Sequence, residues 1–227
     1  MLFRSLTCQI IFGDDRKPAF VHTDLSHLFP GYTYENGKST YKDEIVGEGG
    51  YVYAEPGYYE NVALLDIASM HPHSLIAMEC FGPGYTARFK DLVAGRMAVK
   101  HHDVETAKRL LDGALAPFIG ENDKALAFAL KIAINSVYGL TAARFPNRAN
   151  GMDPFNNPDN IVAKRGALFM VNLKHFVQER GFTVVHIKTD SIKIPNATPE
   201  LISDISAYAK GFGYTFEHEA LTRRWSS

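Results

Sequence analysis

The stretch "HIKTDSIKI" at residues 186–194 decides how the rest of the chain is read. Two short runs of β-favouring residues flank Thr189-Asp190-Ser191, a pattern that predicts a hairpin with Asp190 displayed at its tip. An aspartate at a turn can simply cap it. Asp190 becomes chemical only if other groups converge on it.

The bulk properties leave room for that. The chain has 227 residues, enough for one large domain or two small ones with real cores. An apolar content of 46% and a charged content of 22% are ordinary for a soluble globular protein. The net charge of −1 lacks the basic excess common among nucleic-acid binders, although a basic cleft offset by acidic surface gives the same sum. Cys8 and Cys80 are too few for a disulfide framework and fit a reducing compartment. No apolar run is read as reaching the ~18–20 residues of a spanning helix. No signal-peptide cleavage pattern follows the N-terminal MLFRSLTCQIIF. The expectation is a cytoplasmic protein, in the host cell if viral, with no membrane partner.

Residues 1–60 carry turn signals at Pro30-Gly31, Asn36-Gly37, Gly49-Gly50 and Pro56-Gly57, and read as a connector with a short strand near 50–54. NVALLDI at 61–67 is a short apolar run ending in a carboxylate, as in a buried strand. A helix-compatible run containing Pro72 follows, up to Gly82-Pro83-Gly84. Residues 88–112 are helical in pattern with a break near His101–Asp103, and 121–138 predict a second helix ended by Gly139. A short linker between these two implies an antiparallel pair. Further on come a helix over 160–180 closed by Gly181, the hairpin, a helix over 200–211 and a strand over 214–219. Around the helical excursion lies β–α–β–β–α–β, an α+β, ferredoxin-like (split βαβ) order.

Asp66 closes its strand where a buried carboxylate costs several kcal/mol unless paired or metal-bound. It suits equally the N-cap of the following helix. His71 and His73 flank Pro72 with no Cys or Glu at ligand spacing, a poor zinc set. Lys131, Asn135 and Tyr138 fall at i, i+4 and i+7 on one helical face, with Lys124 two turns earlier. An ammonium, an amide and a ring suit a triphosphate with a stacked base; they also suit an ordinary solvated face. Arg96 and Lys100, at i and i+4, offer a second basic pair. If the hairpin lies beside the Asp66 strand, Asp66 and Asp190 reach the same sheet edge. Two carboxylates there can bridge divalent cations about 3.5–4 Å apart, and hard oxygen donors favour magnesium.

Taken in order, DIASMHP, KIAINSVYG and KTDS resemble motifs A, B and C of the family B DNA polymerases, whose patterns run D-x-x-S-L-Y-P, K-x-x-x-N-S-x-Y-G and D-T-D-S. The similarity covers roughly residues 49–194, with a continuation to 219, and points to a bacteriophage replicative enzyme. It implies a palm formed by 61–87 and 140–227, fingers inserted at 88–139, and 1–60 as an N-terminal connector. Asp66 and Asp190 would be the catalytic pair, holding two magnesium ions with the carbonyl of Ile67. Lys131 would neutralise triphosphate charge, assisted by Arg96. Asn135 would line the nucleotide pocket, Tyr138 would pack against the nascent base pair, and Ser69 with the backbone through His71 would meet phosphate oxygens. The implied reaction is attack of a primer 3′-hydroxyl on the α-phosphate of a dNTP, directed by primer–template DNA. Gly49-Gly50 resembles the glycine pair of a template-binding connector, with Gly47 where its tyrosine would stand.

Three departures accompany the likeness. His71 replaces the tyrosine that packs under the sugar, His73 replaces a serine, and Lys188 replaces the first acid of D-T-D-S. An ammonium ~5 Å from a carboxylate interacts by roughly 3 kcal/mol at an effective dielectric of ~20, and repels a divalent ion about twice as strongly. Lys188 is therefore expected to turn aside or to pair with Glu217 or Glu219. No proofreading motifs precede residue 60 and no thumb follows Ser227, so a fragment is expected, completed by a separate exonuclease or thumb-bearing chain. Two other functions remain: a catalytically incompetent template-binding or assembly subunit, and a metal-dependent phosphohydrolase using the same carboxylates. The phosphohydrolase leaves the Lys131 stripe without a purpose.

Overall fold

The structure is a computed structural model that describes residues 20–47, 49–120, 122–142 and 157–226, those from 218 onward by backbone alone. Cys8, the N-terminal apolar stretch and the Glu219 side chain lie outside the described residues. In chain order the strands are β1 (Thr33–Glu35), β2 (Lys38–Tyr41), β3 (Glu44–Val46), β4 (Val52–Ala54), β5 (Tyr58–Ile67), β6 (His186–Lys188), β7 (Ser191–Pro195) and β8 (Phe216–Ser226). The helices are α1 (Met70–Ala77), α2 (Pro83–Lys100), α3 (Val104–Arg109), α4 (Asp123–Ala142), α5 (Ile161–Gln178) and α6 (Pro199–Gly211). This is a mixed α+β fold with two antiparallel sheets.

The described residues fall into two compact units, one within 24–77 and 158–226, the other within 20–23 and 78–157. Residues 24–60, read from sequence as connector, thus belong to the sheet-bearing unit. There β1, β2 and β3 form a small antiparallel meander, and β4 becomes the edge of the main sheet by pairing with β6. Both meander turns hold two residues at positive φ, Asn36-Gly37 and Lys42-Asp43, as tight hairpins require.

The main sheet has the order β4-β6-β7-β5-β8, every neighbour antiparallel. Without β4, the order β6-β7-β5-β8 is that of a split βαβ unit. Alternation along the central strands explains its register. Ala63, Leu65 and Ile67 on β5, Ile192 and Ile194 on β7, and Ile187 on β6 are buried. Leu64, Asp66, Ser191, Lys193 and His186, on the other face, are half-buried. Strand β8 runs farther than expected, to Ser226, paired along β5.

Helix α5 is almost wholly buried, and its Phe169 ring lies 4.8 Å from Tyr214 and 5.2 Å from Phe212, joining it to the end of α6 and the approach to β8. Gly181, at φ 81°, turns the chain out of α5 as the sequence suggests. Three cations of α5 are buried: Lys164, Arg165 and Lys174. Lys164 Nζ donates to the carbonyls of Gly47 (2.7 Å) and Val46 (3.3 Å). Lys174 Nζ donates to Glu44 (2.7 Å) and to the Tyr51 hydroxyl (2.8 Å), while Tyr51 donates to the other Glu44 oxygen. Arg165 donates to the Phe212 carbonyl at 2.6 Å and lies over the Tyr214 ring. Two of these cations tie residues 44–51 to α5.

In the other unit α2 packs on α4. The linker between them is longer than expected: α2 stops at Lys100, Asp103 caps α3 by accepting the Thr106 N–H at 3.1 Å, and Leu111 and Asp112 take left-handed φ values. Gly139 does not end α4, which continues to Ala142; its φ is not positive, so it costs helix stability without breaking the helix. The sequence reading also overlooked that α4, at 20 residues, is by length and composition apolar enough to cross a membrane. A lysine at its middle, Lys131, would be expensive at bilayer depth.

The Glu44 cluster yields a pH prediction. Burial raises the Glu44 carboxyl, but the bonds from Lys174, Tyr51 and His175 outweigh it and hold the pKa below the ordinary value. A depressed folded pKa gives stability that is full above the unfolded value of about 4.3 and lost as pH falls through the folded one. Thermal unfolding of wild type and Glu44→Gln should therefore show a gap in midpoint at neutral pH that narrows on acidification from about pH 5 to about pH 3. A gap independent of pH would contradict the assignment.

Candidate active site

The open face of the main sheet carries the polar residues. Asp66, near the end of β5, is paired with Ser191 of β7 on one side and Glu217 of β8 on the other. Directly paired residues project from the same face, so these three stand in a row. Asp66 is half-buried and Glu217 exposed.

The backbone of Asp190 lies next to this row in the β6–β7 turn, whose two loop residues are Thr189 and Asp190. Both flanks of the turn are bonded to neighbouring backbone. The Ile67 N–H donates to the Asp190 carbonyl at 2.9 Å, and the Thr189 N–H donates to the Tyr51 carbonyl at 3.0 Å. The first bond places Asp190 beside the residue that follows Asp66. Thr189 has φ 57°, a left-handed conformation that breaks simple strand alternation at the tip. The Asp190 N–H and the Ser191 hydroxyl both donate to the Lys188 carbonyl, at 2.8 and 3.2 Å, closing the turn on itself.

Ser69, at φ 54°, makes the turn from β5 into α1, and its carbonyl accepts from the His73 N–H (3.1 Å) and lies 3.0 Å from His73 Nδ1. His73 is thereby engaged in its own turn. His71 is half-buried next to the acids: burial pushes its pKa down, and the Asp190 charge pulls partly back. The net lowering keeps the imidazole neutral near pH 7. Its sensitivity to Asp190 puts His71 within electrostatic reach of the turn.

Lys188 is exposed and paired with Ser191. One strand separates it from Asp66 on the same face, about 10 Å at the usual strand spacing. At that separation the interaction falls to roughly 1.7 kcal/mol for an effective dielectric of ~20. Among the described residues Lys188 forms no ion pair, so the expected pairing with Glu217 is not made. The charge of Lys188 reaches instead its own hairpin. Lys193 is lowered by burial and then by Lys188; His186 is lowered by burial, then by Lys193 and Lys188.

The glycines at 47, 49 and 50 differ in what surrounds them. A Cβ on Gly50 would sit 3.0 Å from both Cγ2 and Oγ1 of Thr189, whereas one on Gly49 would meet nothing within 4 Å. A Cβ on Gly47 would come 2.8 Å from the Gly50 carbonyl, which accounts for glycine where the family pattern has tyrosine.

The remaining expected residues are in the helical unit. On α4, Leu130, Ile134 and Val137 are buried, while Lys124, Lys131 and Asn135 are exposed and Tyr138 is half-buried. The stripe is therefore solvent-facing, and Phe128 (63% exposed) and Ile132 (39%) are interleaved with it. Arg96 on α2 is half-buried, its Nη1 lying 3.7 Å from Met97 Sδ. Asp66, Ile67, Ser69, His71 and Asp190 are gathered in one unit; Arg96, Lys131, Asn135 and Tyr138 lie in the other.

As a cation site the acids fit magnesium. The donors are hard carboxylate oxygens, and magnesium uses one or two carboxylates with water and substrate phosphates rather than an all-protein cage. Among the described residues there is no cluster of three or more His, Cys, Asp or Glu arranged for a metal. Sequence reasoning missed Tyr51 and the buried lysines of α5; cations set among the apolar positions of that helix were the available signal.

The fold is similar to that of the family B DNA polymerase from the hyperthermophilic archaeon Pyrobaculum calidifontis, with a TM-score of 0.51 and 16% identity. The match covers 91% of this chain and 27% of that polymerase, so the chain spans about a quarter of its length. At this identity the likeness is one of fold. No protein-family model and no curated protein matches the sequence.

The charge relation between His71 and Asp190 can be measured directly. Asp190→Asn removes the effect that raises the imidazole, so the His71 pKa followed by NMR should fall below its wild-type value. An unchanged titration would mean that the two groups are not neighbours.

Proposed function

We propose that the chain is the palm and fingers part of a family B DNA polymerase, carrying out template-directed transfer of dNMP from a dNTP to a primer 3′-hydroxyl, alone or within a longer assembly. The observation that supports this reading is the Ile67–Asp190 backbone bond, which brings the chain at Asp190 to the residue after Asp66 in a sheet of split-βαβ order. The three motifs in order and the polymerase-like fold support it. Primer–template DNA and dNTP are the corresponding partners, in an intracellular setting, with a separate exonuclease or thumb-bearing chain as a further partner.

Asp66 and Asp190, with the Ile67 carbonyl, would hold two magnesium ions. Magnesium held by these residues would lower the pKa of an attacking hydroxyl and offset charge on a departing pyrophosphate. The 3′-oxygen bonds the α-phosphorus as the bridge to pyrophosphate breaks, and the hydroxyl proton leaves to solvent. By the motif resemblance alone, Lys131 and Arg96 would supply positive charge for a triphosphate, Asn135 an amide and Tyr138 a ring surface. Ser69 and the backbone through His71 offer donors to phosphate oxygens. His71, neutral, can exchange hydrogen bonds near the sugar without adding charge, and being smaller than tyrosine it guards the 2′ position less.

Lys188 favours the second reading, a template-binding subunit with weakened or lost catalysis, because it places a cation where the family pattern has an acid. Primer extension separates the two. The first reading expects magnesium-dependent extension that falls on the order of 100-fold or more in Asp66→Ala and in Asp190→Ala. It also expects Lys188→Asp to need several-fold less magnesium for half-maximal rate. A chain that binds primer–template DNA but extends nothing until Lys188 is replaced supports the subunit. Extension that survives both alanine variants rules out these aspartates as the site.

A further inference from the structure

We propose that Gly50 and Tyr51 form a clamp on the β6–β7 turn, making them positioning residues for Asp190 rather than a surface for template. This inference rests on the polymerase reading for its consequence in catalysis, but not for the clamp itself.

The starting point is Thr189. It is β-branched, yet it holds a left-handed φ of 57°, a conformation in which its side chain crowds its own backbone. Such strain persists where the surroundings over-determine it, and it collects at working sites. Here the surroundings are identifiable. The Thr189 side chain sits on Gly50 so closely that a single added Cβ would meet Cγ2 and Oγ1 at 3.0 Å. The Thr189 N–H is bound to the Tyr51 carbonyl at 3.0 Å. Next along the turn, the Asp190 carbonyl is held by the Ile67 N–H. The acid is therefore carried by a two-residue turn gripped on one flank by Gly50-Tyr51 and on the other by the strand of Asp66.

A clamp works only if it is itself fixed. Tyr51 is buried, and its hydroxyl is shared between Glu44 and Lys174. Lys164, 1% exposed, holds the Gly47 and Val46 carbonyls just upstream. Two buried lysines of one helix thus anchor the segment that anchors the turn. A glycine pair whose backbone served template alone would have no reason to differ at its two positions. Gly49 has open space beyond its Cα, and Gly50 has Thr189.

The test pairs Gly50→Ala with Thr189→Gly, which removes the atoms the new methyl would strike and suits the left-handed φ. Two readouts are taken on the full chain: amide hydrogen exchange at residue 189, which needs no activity, and primer extension with kcat separated from KM for dNTP. Gly50→Ala is expected to speed exchange at residue 189 about tenfold and to lower kcat by a similar factor, with KM within about twofold. Gly49→Ala should leave exchange at residue 189 at the wild-type rate. The double variant Gly50→Ala/Thr189→Gly should regain both protection and kcat. Wild-type exchange in Gly50→Ala overturns the clamp, as does a loss confined to affinity for primer–template DNA or a defect that Thr189→Gly does not repair. Faster exchange with unchanged kcat overturns the positioning role. If the wild-type chain extends no primer, its activity alone is what fails, and exchange at residue 189 still decides the clamp.

Discussion

The register between β5 and β7 is the constraint on which the rest depends. It puts Asp66 opposite Ser191 and lets the Ile67 N–H meet the Asp190 carbonyl. Because side chains alternate along a strand, a slip of one residue would turn Asp66 inward and expose its neighbours. Those neighbours are what hold the register: Leu65, Ile67, Ile192 and Ile194 are all buried. Each such side chain contributes about 1.5–3 kcal/mol on burial. A slip of β5 would expose Leu65 and Ile67, at about 3–6 kcal/mol together, a large part of the roughly 5–15 kcal/mol that stabilises a typical domain. The polar site is thus set by apolar burial on the far side of the same strands.

A second layer of control comes from cations that are not at the site. Lys164 and Lys174 lie inside the fold on α5 and point their ammonium groups at residues 44–51. Buried charge of this kind is costly unless matched, and removing one partner of such a pair leaves an uncompensated charge. The arrangement makes α5, the meander and the edge strand β4 one mechanical piece. The turn bearing Asp190 is attached to that piece through Tyr51. Lys188, in contrast, is exposed and unpaired among the described residues, so its charge is available to whatever occupies the open face.

Much of the main sheet was legible because its signals are local. The apolar run before Asp66, the hairpin around Thr189-Asp190 and Gly181 after α5 each carry a pattern of period or punctuation. The Asn36-Gly37 turn was legible for the same reason; Lys42-Asp43 was not, since lysine is an uncommon choice for positive φ and no glycine follows. Gly139 misled because glycine ends helices only when it adopts a left-handed φ, and here it stays helical. The sheet partner of β4 and the roles of the α5 lysines were hidden for a different reason. Both depend on residues more than a hundred positions away, and no local pattern encodes those. For the site, the two aspartates and the α4 stripe could be named from sequence, while the reason for Gly50 could not: it is a contact with Thr189, visible only once the chain is folded.

The central claim is that Asp66 and Asp190 jointly bind the cation of a nucleotidyl transfer. Paramagnetic broadening by Mn²⁺, added with dNTP to isotope-labelled full chain, tests it most directly. The account predicts that broadening begins at the amides of Ile67, Asp190 and Ser191, and that Asp66→Asn or Asp190→Asn abolishes it. Broadening that starts elsewhere, or that persists in both variants, would contradict it.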